Sequence, residues 1–214
     1  MYLPTYHRMP DLEAAYALLQ AFPLGAWVCQ TPDGLVANHI PFVHDRSRGP
    51  CGTLIGHVSR ANPVWRELRG GAPSVVMIQG PQAYITPGWY PGKAAHGKVV
   101  PTWNYVVAHA HGTARAVEDP VWLRDMLERL TAQQEAGQPS PWRPADAPPD
   151  YIDRLLRAIV GIEIPIDRLE GKNKLGQDEE LPDRLGAVAG LHRSACTGEQ
   201  ELGRLMQQDA AADR

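Results

Sequence analysis

The apolar positions of the chain change period several times, and each change marks an element. Between Pro10 and Pro23, Leu12, Ala15, Leu18, Leu19 and Phe22 recur at helical spacing, which predicts a helix with Asp11 placed to cap it. Leu24 to Gln30 and Leu35 to Phe42 read as strands, and the intervening Pro32-Asp33-Gly34 is turn chemistry, so the pair predicts a hairpin. A polar loop, HDRSRGPCG, follows, and then Thr53 to Val58 predicts a short strand. Asn62-Pro63 is a capping residue followed by a proline suited to the first helical position, which predicts a short helix to about Arg69. Ser74 to Gln79 predicts a buried strand, and Tyr84-Ile85 a further short one.

Thr86 to Pro101 holds three prolines and three glycines and reads as irregular. Thr102 to Val117 is the longest strand candidate, and its alternation sets Tyr105, Val107, His109 and His111 on one face. Asp119-Pro120 repeats the cap-plus-proline signal and opens a helix through about Gln134, which a proline-rich connector, GQPSPWRPADAPP, follows. Tyr151 to Val160 predicts a helix, the alternation of Ile162, Ile164 and Ile166 a last strand, and GKNKLGQDEE a basic loop. Leu181 to Leu191 predicts a helix, and Thr197 with Gln200 a capping box for a terminal one. Strands that follow one another through short turns exclude a βαβ design. The pattern is α+β, five to seven short antiparallel strands of small-barrel type with helices segregated around them. The expected organisation is one domain over 1–195, with a C-terminal helix and charged tail over 196–214.

Composition narrows the class. Over 214 residues, 43% hydrophobic and 21% charged is a globular balance that excludes bulk disorder, and 20 Gly with 20 Pro argue against a helical bundle. No apolar run is long enough for a membrane helix, and MYLPTYHRMPDLEAAY lacks the cationic start and apolar block of a signal peptide, so a cytoplasmic location is expected. Cys29, Cys51 and Cys196 fit no zinc or redox spacing and read as reduced thiols. A net charge of −3 lacks the basic footprint of a nucleic-acid binder.

Three segments are candidates for chemistry. In GHVSRANPVW, His57 sits at a strand end, and Arg60 with the helix start at Asn62 can hold an anion; the alternative is local bonding of His57 and a surface ion pair for Arg60. Tyr84, Trp89, Tyr90, Trp103 and Tyr105 concentrate a third of the chain's aromatic residues in 22 positions of Gly/Pro-rich sequence, which suits a flat ligand, with Lys93 and Lys98 beside it. A plug for a barrel end or a dimer interface explains them equally. The loop carrying Lys172 and Lys174 can bind phosphate or serve as a solvated connector, and its glycines do not have P-loop spacing. His109 and His111 lack an evident third metal ligand and read as cross-strand packing; His39 and His44 are lone, and His7 and His96 read as solvated. There is no nucleophile elbow, HExxH or Rossmann glycine pattern, so no residue is marked as a general acid or base and enzymatic activity stays open.

Taken together, MYLPTYHR, NHIPF, GHVSRANPVW, GPQAYITPGWY, VPTWNY, EGKNKL and DRLGAVAGL resemble the PaiB family, the FMN-binding negative transcriptional regulators, from residue 1 to about 191. The resemblance implies an antiparallel split β-barrel of the flavin-reductase and pyridoxamine-oxidase type; the peripheral helices and the C-terminal helical extension are expected from the pattern of the chain itself, and nothing of the resemblance carries past about Thr197. It implies a homodimer with FMN at the subunit interface. The cofactor residues implied are His57, Arg60 and Asn62; Trp89, Tyr90 and Lys93; Thr102, Trp103 and Asn104; and Lys172 and Lys174. Here KLGQD replaces the family's usual KLSQN, so a hydroxyl is lost at Gly176. The acidic balance disfavours direct DNA binding without closing it, because a dimer can gather Lys172, Lys174, Arg66 and Arg69 on one face. The GHxxRANPxW segment also resembles piperazate synthases, which implies an alternative: a haem b enzyme with His57 as the iron ligand and Arg60 on a propionate. A dimeric regulatory or interaction protein without a cofactor is the third reading.

Overall fold

A computed structural model describes residues 1–212. The chain divides into two compact units. One, the barrel unit, gathers Ala15–Ile78 and His109–Leu169; the other, the helical unit, gathers Met1–Ala14, Gln79–Ala108 and the chain from Glu170 on. Residues 213 and 214, the end of the expected charged tail, lie outside the described residues.

Among the described residues seven strands form the sheet: β1 (Leu24–Thr31), β2 (Gly34–Pro41), β3 (Val43–Asp45), β4 (Thr53–Ser59), β5 (Ala72–Ile85), β6 (Thr102–Val117) and β7 (Ile159–Lys174). Their order is β2-β1-β5-β6-β7-β4-β3. All seven contribute to the barrel unit, while β5, β6 and β7 run on into the helical unit. The expected hairpin is present, with Thr31 opposite Gly34 and Leu24 opposite Pro41. β2 and β3 are opposite edges of the sheet, yet only Phe42 separates them in sequence. One residue spans at most about 7 Å between its neighbours' Cα atoms, so the barrel unit's sheet must curl until its edges meet. Phe42 is buried at that junction, and its amide donates to the Pro23 carbonyl at 2.8 Å. Gly56 makes room there: a Cβ would stand 2.8 Å from the Pro41 carbonyl oxygen and 3.3 Å from the Phe42 ring.

Among the described residues six α-helices accompany the sheet: α1 (Leu12–Ala21), α2 (Pro91–Ala95), α3 (Pro120–Glu135), α4 (Pro149–Leu156), α5 (Leu181–His192) and α6 (Thr197–Ala212). α3 starts as its sequence predicts, with the Asp119 carboxylate accepting from the Val121 amide at 2.8 Å. In the barrel unit, α3 and α4 bury Leu123, Met126, Leu130, Ile152 and Leu156 against Val43 and Ile55. With one face of β4 covered by this layer and the other turned into the sheet's own core, TLIGHV is buried at nearly every position. In the helical unit α5 packs on α6 through Leu191, Leu202 and Met206, with an Arg184–Asp209 ion pair.

Several elements depart from the sequence pattern. β5 is one strand through Gly80-Pro81; β1 pairs only as far as Met77, so Pro81 breaks no ladder on that side. β7 takes in the first four residues of the expected basic loop, because the N-terminal segment supplies a partner: Arg8 bridges Lys172, and the Met9 amide donates to the Gly171 carbonyl at 3.1 Å. The helix after Asn62 is a six-residue 3-10 turn. The Thr197 capping box does not form; the Ser194 hydroxyl accepts from the Cys196 amide, and the Gln200 side chain donates to the Ser194 carbonyl. Among the described residues no helix is long and apolar enough to cross a membrane.

Candidate functional site

The candidates divide between the two units. In the barrel unit, Arg60 is held by its own chain. Its guanidinium donates to the Glu118 carboxylate at 2.6 Å, the Arg157 carbonyl at 3.0 Å and the Ile159 carbonyl at 3.2 Å, and it lies over the Trp65 ring. Asn62 caps Val64 through Oδ1 and donates to Asn38 through Nδ2. Both therefore serve local structure. His57 differs: its Nδ1 is buried without a partner, and burial holds the ring below its usual pKa. It lines a hollow of about 430 Å³ with Ser59, Leu127, Leu155, Ala158 and Ile159. The His109 and His111 rings stand 6.3 Å apart.

In the helical unit, Trp89 is taken up by packing. Gly186 and Gly190 of α5 admit it, for a Cβ at Gly190 would come within 2.2 Å of the indole. Tyr90 is 4% exposed, and burial, with Glu179, Asp183 and Asp178 nearby, pushes its hydroxyl up to about 12. Lys93 is exposed on α2. Asn104 is buried, its amide on the Met206 sulfur and its Oδ1 without a partner.

The remaining candidates converge where β6 starts and β7 ends. Lys172 and Lys174 are two apart on a strand and so share a face. The Lys174 ammonium donates to the Thr102 hydroxyl and to the Trp103 carbonyl. Trp103 is half-exposed, donates its indole N–H to Gln82 at 2.9 Å, and stands 6.2 Å from the half-exposed Tyr84 ring. The Lys172 ammonium lies 5.3 Å from the Tyr105 ring centre and 5.8 Å from that of Tyr2. Gln177 closes the loop beyond on itself, accepting from the Leu175 amide and donating to the Asn173 carbonyl. The corner thus offers cations and a hydroxyl beside two open rings, a donor set for an anionic tail and a flat body.

His7 was expected in solvent and is 4% exposed. It sits on the 3-10 turn Thr5–His7, edge-on to Tyr6, and neither ring nitrogen has a hydrogen-bond partner. The local signal was weak, because its burial comes from the N-terminal segment pairing with β7.

A solved structure on this fold, the FAD and haem binding protein from Mycobacterium smegmatis, matches with a TM-score of 0.58 at 21% identity, covering 86% of this chain and 80% of that one. The fold is the α+β split β-barrel that the motifs implied. Residues 1–168 match the model of the family described as "Putative FMN-binding domain", and the chain belongs to that family. It is 34% identical to the uncharacterized protein AN0679 of Emericella nidulans, over 89% of this chain and 90% of the relative. It is 26% identical to protease synthase and sporulation protein PAI 2 of Bacillus subtilis, over 97% of each, which bears out the PaiB resemblance.

Proposed function

We propose that this chain is an FMN-binding protein whose flavin is held by the corner of Thr102, Trp103 and Lys174. The observation that carries the reading is an ammonium bonded to Thr102 and Trp103 next to two half-exposed rings. Family membership supports the choice of flavin. Bound FMN supplies redox chemistry, and the chain's residues bind and orient it. The test is a titration followed by flavin fluorescence. Lys174→Ala should weaken FMN binding about 10-fold or more, as loss of a charge-assisted hydrogen bond does. Wild-type protein that binds no flavin rejects the reading and leaves the haem and cofactor-free alternatives.

The same resemblance supports a homodimer and a regulatory role in the cytoplasm. With a net charge of −3, regulation is read as acting through the cofactor or a protein partner rather than through direct DNA contact. Light scattering of the purified chain tests the dimer.

His57 supports a second reading. A neutral imidazole on the wall of a hollow lined mainly by Leu127, Leu155, Ala158 and Ile159 suits haem iron, and the M. smegmatis protein's name couples flavin and haem. A Soret band on haem addition, lost in His57→Ala, tests it.

A further inference from the structure

Lys172 and His7 are out of keeping with their surroundings. Lys172 is 7% exposed, and the only hydrogen-bond acceptor its ammonium has among the described residues is the Tyr2 carbonyl at 3.3 Å. No ion pair among the described residues includes it. An ammonium has three protons to place, and leaving a buried charge without a counter-charge is costly. His7 is equally buried and has both ring nitrogens unbonded. The Asp178 carboxylate stands 3.8 Å from Nε2, beyond hydrogen-bonding reach, and is half-exposed. Arg8, next in the chain to His7, bridges Lys172, and the Met9 amide bonds to the Gly171 carbonyl, so the segment carrying the ring lies along the strand that carries both lysines, and Asp178, Lys172 and Lys174 are the charges acting on it. Burial first, and then the two lysines, hold it below its usual pKa against the pull of Asp178.

Buried donors without acceptors are what an oxyanion site looks like before its anion arrives. We propose that Lys172 and His7 form an anchor for a phosphomonoester dianion in the helical unit. Tyr2 and Tyr105 hold the ammonium between their rings, and Lys174 adds a second positive charge on the same strand face. The anchor deepens the flavin reading, since the phosphate of FMN is such a group, but it makes a separate claim. It requires selection for the phosphate, whereas the Trp103 corner alone would accept a flavin lacking one.

The experiment compares FMN, riboflavin and inorganic phosphate on the full chain. Wild type should bind FMN at least roughly 10- to 100-fold more tightly than riboflavin, and phosphate should compete. Lys172→Met keeps the length of the side chain and removes the charge; it should lose most of that preference while its riboflavin affinity stays. Lys172→Arg should keep a good part of it. His7→Asn, which retains a donor, should lose less than His7→Leu. Thermal melts check that each variant folds, and the ratio of the two affinities is a readout that a general structural defect would not move. Equal binding of FMN and riboflavin by wild type, or an unchanged ratio in Lys172→Met, overturns the anchor while leaving the flavin reading intact. If wild type binds no flavin at all, the flavin reading falls. The anchor is then judged by phosphorus NMR line broadening of inorganic phosphate, present in wild type and absent in Lys172→Met if it stands, and absent in both if it does not.

Discussion

The barrel unit and the helical unit treat buried charge differently. In the barrel unit Asp45, 7% exposed, accepts from Arg129 at 2.8 Å and twice from Ser47, and Arg48 pairs with Glu163 at 2.8 Å. Arg60 there has three protein acceptors. In the helical unit the α5 layer follows the same rule, with buried Asp183 accepting from the Gly92 amide at 2.8 Å. Lys172 and His7 break it. A cation such as Arg60, held by a carboxylate and two carbonyls of its own chain, already has its counter-charge and gains little from a ligand. A cation enclosed and left short of acceptors destabilises the free protein and is released from that cost by an anion. Arg60 and Lys172 both stood as phosphate candidates in the sequence, and this difference in partners separates them.

The comparison breaks most visibly at Asp45. The Arg129 guanidinium, through its hydrogen bond, holds this carboxylate at about 2, down from 3.8, with the Ser47 donors adding to the effect. Asp45→Ala should cost about 2–3 kcal/mol in urea unfolding at neutral pH. A depressed carboxylate stabilises above its unfolded pKa, so the deficit should be full above about pH 4 and shrink as the pH falls toward about 2. A deficit independent of pH would assign it to packing. Arg60→Ala should cost about 1–2 kcal/mol, reduced by its partial exposure, and leave FMN affinity alone. A 10-fold loss of affinity with unchanged stability would move Arg60 to the ligand's side of the comparison.

What the sequence revealed follows from how local each signal is. The α3 start at Asp119-Pro120 and the β1–β2 hairpin were legible because their causes lie within a few residues. β6 was legible to its ends, since alternation over 16 residues outweighs propensity. The extension of β7 to Lys174 was not, because its partner is the segment around Arg8, remote in sequence. The same pairing buries His7, so a residue that reads as solvated in the sequence is enclosed without a hydrogen bond. At the site, Lys172, Lys174, Thr102 and Trp103 stand out by residue type and fall together in one unit. Trp89 stands out on the same grounds, but the room that Gly186 and Gly190 leave for it on α5 depends on helix packing. Composition marks which residues can bind; it does not mark which are already occupied.

A smaller effect sharpens the contrast through pH. His7, His44 and His57 are each held below the usual imidazole value by burial first of all. As the pH falls through about 6.5 the unfolded chain takes up these protons before the folded one, so stability is full above that value and declines below it. His44 keeps a bond to the Cys51 carbonyl at 3.0 Å, whereas His7 has none to lose. His7→Asn should therefore flatten the loss between about pH 7.5 and pH 5.5 without lowering stability at the upper end. Equal slopes in wild type and variant would mean that His7 does not titrate differently in the two states.

The smallest change is expected at Lys172 in the absence of ligand. Removing a buried charge that has one carbonyl partner takes away as much desolvation cost as it takes away attraction, so Lys172→Met should fall between neutral and about 1 kcal/mol more stable. Asp45→Ala, an equally buried charge but with its partners present, goes the other way. Saturating FMN should then reverse the order of wild type and Lys172→Met. At about 100 times the dissociation constant a ligand adds about 2.7 kcal/mol to the protein that binds it, and the variant, with weaker binding, gains less at the same concentration. If Lys172→Met is instead destabilised like Asp45→Ala with no ligand present, the two tyrosine rings already satisfy the ammonium. Lys172 would then belong with Arg60 among the structural cations.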